Sequence, residues 1–233
     1  MEKTIRPIAR IRSDYKEKFG IPRQSGLVPE AEAEIVFETA FRSREALRGI
    51  EEFTHLWLIW GFSEIKNAGF RATVKPPRLD GEKKGVFATR SPYRPNGLGL
   101  SSVSLLSIGE DAKEGPVLHV AGADLLDGTP IYDIKPYIPY ADSHPEASGS
   151  YSDRHRDDRV AVHFPEELLA KIPPGKRGAL RKLLSLDPRG SYEKLPGRVY
   201  GLHFADYEVR FAEKDGILVV NEVLEAEGAG KVK

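Results

Sequence analysis

The sequence predicts a mainly β protein, with an antiparallel, barrel-like N-terminal domain and a small α+β C-terminal domain. Many short apolar runs separated by Gly, Pro and Asp turns are typical of a closed or nearly closed barrel. Apolar residues almost disappear between 142 and 158, which indicates a linker or a long loop. We therefore predict a barrel domain over 1–145, a linker over 146–159 and an α+β domain over 160–233.

The strands of the barrel are predicted from alternating patterns and from apolar runs. Residues 31–37 alternate apolar side chains with glutamates, so one face of this strand should be exposed. Residues 55–62 are the most apolar stretch and should form a central strand that is buried on both faces. Ser43 is expected to cap a short helix that ends at Gly49. The other predicted strands cover residues 5–11, 85–88, 103–108, 117–121 and 131–134.

The C-terminal domain mixes strand and helix patterns. The unit is expected to start at 160–164, and a helix is predicted at 165–172, which Pro173 and Pro174 should break. Asp215-Gly216 is a strong hairpin signal. The buried stripe of a second helix is expected at Ala179, Leu180, Leu183 and Leu184. The last predicted strands cover 199–204, 207–211 and 217–220.

Composition and missing motifs exclude several classes of function. The 233 residues include 35 Lys+Arg, 35 Asp+Glu and no Cys, so no global field recruits nucleic acid and no cysteine-ligated zinc is possible. No P-loop, G-x-S-x-G, H-E-x-x-H or G-x-G-x-x-G motif occurs, and the six histidines lack ligand spacing, so no metal is expected. Without an apolar leader or a long apolar run, the protein should be soluble, cytoplasmic and free of membrane segments.

Residues 85–100 form a stiff, basic loop that core packing does not explain. Prolines brace the loop, and Arg90, Tyr93 and Arg94 suit an anionic or planar ligand. Between residues 71 and 94, seven Lys/Arg stand against two Asp/Glu, so a local positive patch is expected. From the residues alone, a proline-braced turn accounts for the loop equally well.

A second polar segment, ADLLDGTP at 123–130, places two aspartates before a Gly-Thr-Pro turn. The carboxylates of Asp124 and Asp127 would suit ribose hydroxyls or an ammonium group. An Asx-type turn, in which each carboxylate satisfies only local amides, is the commoner explanation for such a segment taken alone.

Taken together, the motifs resemble one known family. Arg12-Ser13 with Tyr15-Lys16 is followed in order by PRQSGL, HLW, KPPRL, GVFATRSPYRPN with a later Gly99, DLLDGTP and DIKPY. The chain resembles the TsaA/YaeB-like (TrmO) methyltransferases, which use S-adenosylmethionine to methylate threonylcarbamoyl-adenosine beside the anticodon of certain tRNAs. The resemblance is strong over residues 5–140. It extends through the DPR segment and the strand-rich tail, so it is nearly full length.

The resemblance implies a barrel without a Rossmann fold, in which loops 22–27, 85–100 and 123–130 converge around the cofactor at one end. Ser25 and Gly97 stand where proline is usual in the family, so both loops should be less rigid than the type. The implied cofactor-binding residues are Gln24, Ser25, Gly26, Ser63, Glu64, Arg90, Leu100, Asp124, Leu125, Leu126 and Asp127.

The reaction and its partners are also expectations from the resemblance. The target nitrogen must lose a proton, and the candidate bases in matched loops are Asp133, Tyr93 and Tyr137. The residues expected to hold RNA phosphates are Arg71, Lys75, Arg78 and Arg94. A tRNA that carries threonylcarbamoyl-adenosine is the expected partner, and a homodimer is expected because the family is usually dimeric. Two other functions stay open: a non-catalytic RNA-binding barrel, and a methyltransferase that acts on a small metabolite.

Overall fold

Strands dominate the fold. The computed structural model describes residues 2, 4–63, 69–77, 79, 81–190, 195 and 197–226. The strands are β1 (Ala9–Arg12), β2 (Glu32–Phe37), β3 (His55–Gly61), β4 (Thr73–Val74), β5 (Lys84–Gly85), β6 (Leu98–Asp111), β7 (Gly115–Ala121), β8 (Pro130–Pro136), β9 (Ala161–His163), β10 (Val199–Phe204), β11 (Tyr207–Lys214) and β12 (Ile217–Glu225). The helices are α1 (Pro139–Asp142), α2 (Glu166–Leu169) and α3 (Pro174–Ser185), and 3-10 turns span Thr39–Phe41, Arg44–Leu47, Ile50–Glu52, Val86–Ala88 and Ser150–His155.

Six strands close into a barrel in the order β1-β2-β7-β6-β3-β8. Every neighbouring pair in this barrel is antiparallel. Alternate side chains fill the interior, and Ile11, Ile35, Leu58, Leu118 and Ile131 are fully buried there. Closure leaves no open sheet edge in the barrel. The prediction of an antiparallel barrel is therefore confirmed.

Two predicted strands of the barrel domain are wrong in detail. Strand β3 is buried on one face only, because Leu56 and Leu58 point into the barrel while His55 is exposed on the outside. Residues 86–88 form a 3-10 turn in place of a buried strand, and Phe87 is 72% exposed. The β4–β5 ribbon that precedes this turn has only two residues in each strand. Of the three turn residues, Val86 alone is buried.

Two predicted helix boundaries also differ. Ser43 precedes the turn Arg44–Leu47 but makes no capping hydrogen bond, whereas Gly49 has the expected left-handed conformation with φ of 82°. The helix predicted at 165–172 is limited to Glu166–Leu169. Pro174 begins α3, because the first turn of a helix tolerates proline.

A second sheet, ordered β10-β11-β12-β9, packs against α3. The four residues predicted as the apolar stripe of this helix are all buried, which confirms the prediction. Asp215 and Gly216 have φ values of 52° and 81°, as a tight hairpin turn between β11 and β12 requires. Strand β9 pairs in parallel with β12 and completes the sheet.

The core of the second sheet extends into the loop between β1 and β2. Tyr15, Val28 and Ala31 belong to the loop between β1 and β2, yet their side chains are buried in the core of the second sheet. Phe19 stacks on Tyr200 with ring centroids 6.4 Å apart. The sequence assigned this loop to the barrel domain, whereas the structure packs one side of it into the C-terminal core. None of the helices within the described ranges has the length and apolar character needed to span a bilayer.

Candidate functional site

A cavity of about 730 Å³ opens at the end of the barrel where β3 and β7 finish and β6 and β8 begin. We call it the barrel-end cavity. All three loops that were predicted to converge contribute to it. The predicted cofactor residues that line it are Gln24, Ser63, Arg90, Leu100, Asp124 and Leu126. Its volume lies within the usual range for small-molecule sites, about 300 to 1,000 Å³.

Hydrogen bonds hold the loop at 22–27 against the rim of the cavity. The Gly26 amide donates to the Gly122 carbonyl at 2.8 Å, and the Ser25 hydroxyl accepts from the Ser102 amide at 3.3 Å. Arg90 donates to the side-chain oxygen of Gln24. Ser25 and Gly26 are not among the lining residues, so the structure gives them a role in positioning Gln24 beside Arg90.

Asp124 is the buried carboxylate of the cavity. Its Oδ1 accepts a hydrogen bond from Ser101 Oγ at 2.6 Å, and Ser101 Oγ lies 2.9 Å from Trp60 Nε1. An indole N–H can only donate, so Ser101 accepts from Trp60 and directs its own proton at Asp124. Burial raises the pKa of Asp124, while the Ser101 hydroxyl and the Arg90 charge partly oppose that rise. The arrangement presents an acceptor oxygen to a ligand that carries donors.

Two predicted cofactor residues of the same turn, Leu125 and Asp127, do not line the cavity. Leu125 is 1% exposed and packs in the barrel core. The two carboxylate oxygens of Asp127 accept from the Ser13 amide and from Lys16 Nζ, each at 2.9 Å. Asp127 therefore ties the start of the β1–β2 loop to the turn. The predicted cofactor contact of Asp127 stays a prediction, and the geometry gives this residue a structural role.

A larger cleft of about 1,590 Å³ lies between the barrel and the second sheet unit. We call it the interdomain cleft. It shares Gln24 and Arg90 with the barrel-end cavity, and residues between 148 and 159, within the linker predicted over 146–159, form part of its wall. Its basic lining residues are Arg23, Arg71, Lys75, Lys83, Lys84, Arg90, Arg156 and Arg159, against the acids Asp153 and Asp187. Such a surface suits a polyanion.

The predicted RNA-binding residues fall in different places. Arg71 and Lys75 line the interdomain cleft, and the Arg71 guanidinium lies 4.0 Å from the centre of the Tyr93 ring. Arg94 lines the barrel-end cavity instead, and its Nη1 donates to the carbonyls of Val86 at 3.2 Å and Thr89 at 2.6 Å. Arg94 thus braces the turn that precedes Arg90. Two predicted site residues, Glu64 and Arg78, lie outside the described residues.

The structure does not gather the three candidate bases in one place. Tyr93 lines the interdomain cleft. Asp133 is about half exposed and pairs with Lys135 at 3.2 Å, on the outer face of the barrel beside Ile59. Tyr137 packs against Trp57, with ring centroids 5.4 Å apart. Ile59 and Trp57 line the barrel-end cavity, so Asp133 and Tyr137 each lie beside a lining residue without lining the cavity themselves.

Sequence reasoning missed several residues of the cavity. Trp57, Trp60 and Phe62 all line it, and the run of aromatic residues in and just after β3 was the signal that could have found them. Trp60 and Phe62 meet edge to face, whereas Trp57 lies on the opposite face of β3. Gly99 lies against Trp60, because a Cβ there would approach the Trp60 ring to 2.4 Å. Ser101 is 1% exposed on an otherwise apolar inner face, and a buried hydroxyl there needs a hydrogen-bond partner. In the part of the chain that the structure describes, no three His, Cys, Asp or Glu side chains are grouped as metal ligands.

Comparison with known proteins gives matches over nearly the whole chain. The family described as tRNA-methyltransferase O N-terminal domain matches residues 10–143, and TrmO C-terminal domain matches residues 157–226. A tRNA (adenine(37)-N6)-methyltransferase of Escherichia coli (strain K12) is 42% identical over 217 residues, covering 89% of this chain and 92% of the relative. A putative S-adenosylmethionine-dependent methyltransferase, RcsF, of Pseudomonas aeruginosa is 39% identical and covers 91% and 93% of the two chains. A crystal structure of TrmO from P. aeruginosa superposes with a TM-score of 0.77 at 34% identity, over 97% of this chain and 98% of that one.

Proposed function

Since the chain belongs to the TrmO family of tRNA methyltransferases, we propose that it transfers a methyl group from S-adenosylmethionine to N6 of adenine 37 in tRNA. The family prediction made from the motifs is confirmed by these matches. The Escherichia coli relative is named as a tRNA methyltransferase, and the Pseudomonas aeruginosa relative is named as a putative S-adenosylmethionine-dependent methyltransferase. These names support the same substrate and cofactor here. A tRNA substrate also makes the cytoplasm the expected location.

The barrel-end cavity is the observation that carries the proposal. Its donor and acceptor groups fit the cofactor: Asp124 can accept from an ammonium or ribose hydroxyl, and Arg90 can face a carboxylate. Trp60 and Phe62 meet edge to face with ring centroids 4.5 Å apart and can flank a planar base. When bound, S-adenosylmethionine supplies an activated methyl group on its sulfonium. The task of the protein is then to orient the two reactants.

The adjoining interdomain cleft supports tRNA as the second reactant. Because Arg90 and Gln24 line both spaces, RNA held in the cleft would lie beside the cofactor cavity. We assign the cofactor site to the barrel unit over 1–145, and the RNA site jointly to that unit and to the segment over 146–159. The unit over 160–233 supports both through its core, into which the β1–β2 loop packs.

We further propose that the modified nucleoside is threonylcarbamoyl-adenosine. The substituent on N6 carries a carboxylate, which suits the basic lining that Arg71 and Lys75 give to the interdomain cleft. Asp133, Tyr93 and Tyr137 remain the candidate groups for removing the proton.

A homodimer is the proposed assembly. Strand β6 exposes Leu100 and Leu106 by half or more, and Leu100 is itself part of the cavity wall. A second copy on this face would cover apolar surface next to the site. Light scattering after size exclusion should give twice the mass of the chain, and Leu106→Glu should shift it toward the monomer. A monomeric wild-type protein would contradict the assembly.

One experiment tests the reaction itself. Purified protein is incubated with S-adenosylmethionine and tRNA, and the nucleosides are analysed by mass spectrometry. We expect a mass gain of one methyl group on threonylcarbamoyl-adenosine, and none with tRNA that lacks the threonylcarbamoyl group. Methylation of unmodified adenosine would correct the substrate. Binding of tRNA without cofactor binding would favour a non-catalytic RNA-binding barrel. Turnover of a free metabolite would favour a methyltransferase that acts on a small metabolite.

A further inference from the structure

Phe87 and Phe70 form an exposed aromatic pair that no apolar core explains. Their side chains are 72% and 55% exposed, and the ring centroids lie 6.3 Å apart at an interplanar angle of 28°. Neither residue belongs to the core of the barrel or to that of the second sheet. Two large aromatic side chains held together in solvent form a surface that a ligand can cover.

The turn that carries Phe87 is braced. Arg94 donates to the carbonyls of Val86 and Thr89 on either side of the turn, and its guanidinium lies 5.8 Å from the centre of the Phe87 ring. On the other side, the Tyr151 hydroxyl donates to the Ala88 carbonyl at 3.4 Å. The ring is therefore presented by a fixed backbone, so little conformational entropy is lost when a ligand binds to it.

The surroundings of Phe87 are cationic. Phe87 lines the interdomain cleft together with Lys83 and Lys84, and Lys84 also pairs with Glu82. Across the cleft, the predicted linker contributes Arg156 and Arg159. An exposed aromatic surface inside a basic groove is the combination that binds unpaired nucleotides, with bases stacked on rings and phosphates on cations.

We propose that Phe87, supported by Phe70, is a stacking platform for an unpaired base of the RNA, and that the interdomain cleft holds the neighbouring phosphates. The proposal rests on the proposed function and extends it to a base contact outside the barrel-end cavity. A second copy of this chain is a poorer occupant. Its net charge is zero, so it brings no overall negative charge to the basic cleft, and lysines such as Lys83 and Lys84 are depleted in protein interfaces.

The test compares three substitutions of one ring. Phe87→Ala removes the platform, Phe87→Leu keeps an apolar side chain without a π face, and Phe87→Trp keeps a π face. Fluorescence anisotropy measures binding of each variant to a labelled RNA hairpin with an unpaired loop and to a fully paired RNA duplex. Ile5→Ala serves as the control, because Ile5 is 49% exposed and is not among the residues that line either space.

We expect Phe87→Ala to raise the dissociation constant for the hairpin roughly ten- to one-hundredfold, with Phe87→Leu close to it and Phe87→Trp close to the wild type. Duplex affinity, cofactor affinity and the slope of hairpin affinity against salt should stay unchanged, since no cation is removed. Equal hairpin affinity of the wild type and Phe87→Ala would overturn the platform. The platform would also be overturned if Phe87→Ala lost affinity equally for hairpin and duplex, or if its loss of affinity accompanied a change in oligomeric mass.

The outcome separates the two proposals. If the wild-type protein binds neither tRNA nor the hairpin, the proposed function fails whatever the variants do. If the wild type methylates tRNA and Phe87→Ala binds the hairpin equally well, only the platform fails.

Discussion

Tyr15, in the loop after β1, forms an isolated antiparallel bridge with Phe204, the last residue of β10, with the two rings 6.2 Å apart. The contact is reinforced on both sides. The Ala205 amide donates to the Asp14 carbonyl at 2.8 Å, and the His203 amide donates to the Glu17 carboxylate at 2.9 Å. The same loop continues to Gln24 at the barrel-end cavity. The C-terminal sheet therefore supports the loop that places Gln24 at the cavity.

Phe19→Ala should weaken cofactor binding although Phe19 does not line the cavity. Its ring stacks on Tyr200 and Phe211, so its loss frees the loop that carries Gln24. We expect a dissociation constant about tenfold higher by calorimetry, equivalent to about 1.4 kcal/mol. Leu218→Ala is the control, because Leu218 is buried in the same core on β12. It should lower the free energy of unfolding with a smaller effect on cofactor binding. Equal losses of cofactor affinity in both variants would show that Phe19 does not specifically support the loop that carries Gln24.

Ser101→Ala should weaken cofactor binding and change its pH dependence. The substitution removes the donor to Asp124, which raises the pKa of that carboxyl further. As pH falls, Asp124 should therefore be protonated, and cofactor binding lost, at a higher pH than in the wild type. A hydrogen bond to a charged group contributes about 1.5 to 3 kcal/mol, or roughly ten- to over one-hundredfold in affinity. Val103→Ala, at the next inward position of β6, should lower stability without moving the pH profile. Identical pH profiles for Ser101→Ala and the wild type would show that the Ser101 hydrogen bond does not influence Asp124.

Asp124→Asn should flatten one part of the dependence of stability on pH. Because burial raises the pKa of Asp124, the folded protein binds this proton more tightly than the unfolded chain does. As pH rises from the unfolded value of 3.8 through the higher folded value, the wild type should lose stability relative to Asp124→Asn. Urea unfolding of both proteins across the acid range measures this difference. A constant difference at every pH would mean that the pKa of Asp124 does not change on folding.

Arg94 and Arg71 should differ in what they support. Arg94 braces the turn before Arg90, so Arg94→Ala should weaken both cofactor and RNA binding, each by about tenfold. Arg71 stacks on Tyr93 in the interdomain cleft, so Arg71→Ala should weaken RNA binding and leave the cofactor titration unchanged. Calorimetry with cofactor and anisotropy with RNA give the two values for each variant. If Arg94→Ala lost only RNA binding, the result would instead support the direct phosphate contact that was predicted for Arg94 from the sequence.

Arg189→Met should strongly destabilise the C-terminal sheet. Arg189 is 5% exposed and makes two hydrogen bonds to the Asp187 carboxylate, at 2.7 and 3.1 Å. Removing the guanidinium from a buried carboxylate costs about 3 to 5 kcal/mol in the free energy of unfolding. Arg181→Met removes an exposed ion pair to Glu166 and should cost less than about 1 kcal/mol. In the double variant Asp187→Asn with Arg189→Met, part of the lost stability should return.

The sequence predicted what depends on local pattern and missed what depends on distant contacts. Alternation located β2, and the spacing of Leu180 and Leu184 located the buried face of α3, because each pattern reports a single element. The exposure of Phe87 could not be predicted, since nothing in an apolar run shows where the chain leaves a two-residue ribbon. The partners of Asp127 were missed for a similar reason. Ser13 lies more than one hundred positions earlier, and only closure of the barrel brings the two together.

The packing of the β1–β2 loop into the C-terminal core also decides how this chain can be divided. A fragment cut after the barrel would expose the apolar faces of Tyr15, Phe19 and Val28 to water, because these side chains pack in the core of the C-terminal unit. Such a fragment would be prone to aggregation, and the loop that carries Gln24 would be free to move. Solubility of the barrel and order at its open end therefore both depend on residues of the C-terminal unit.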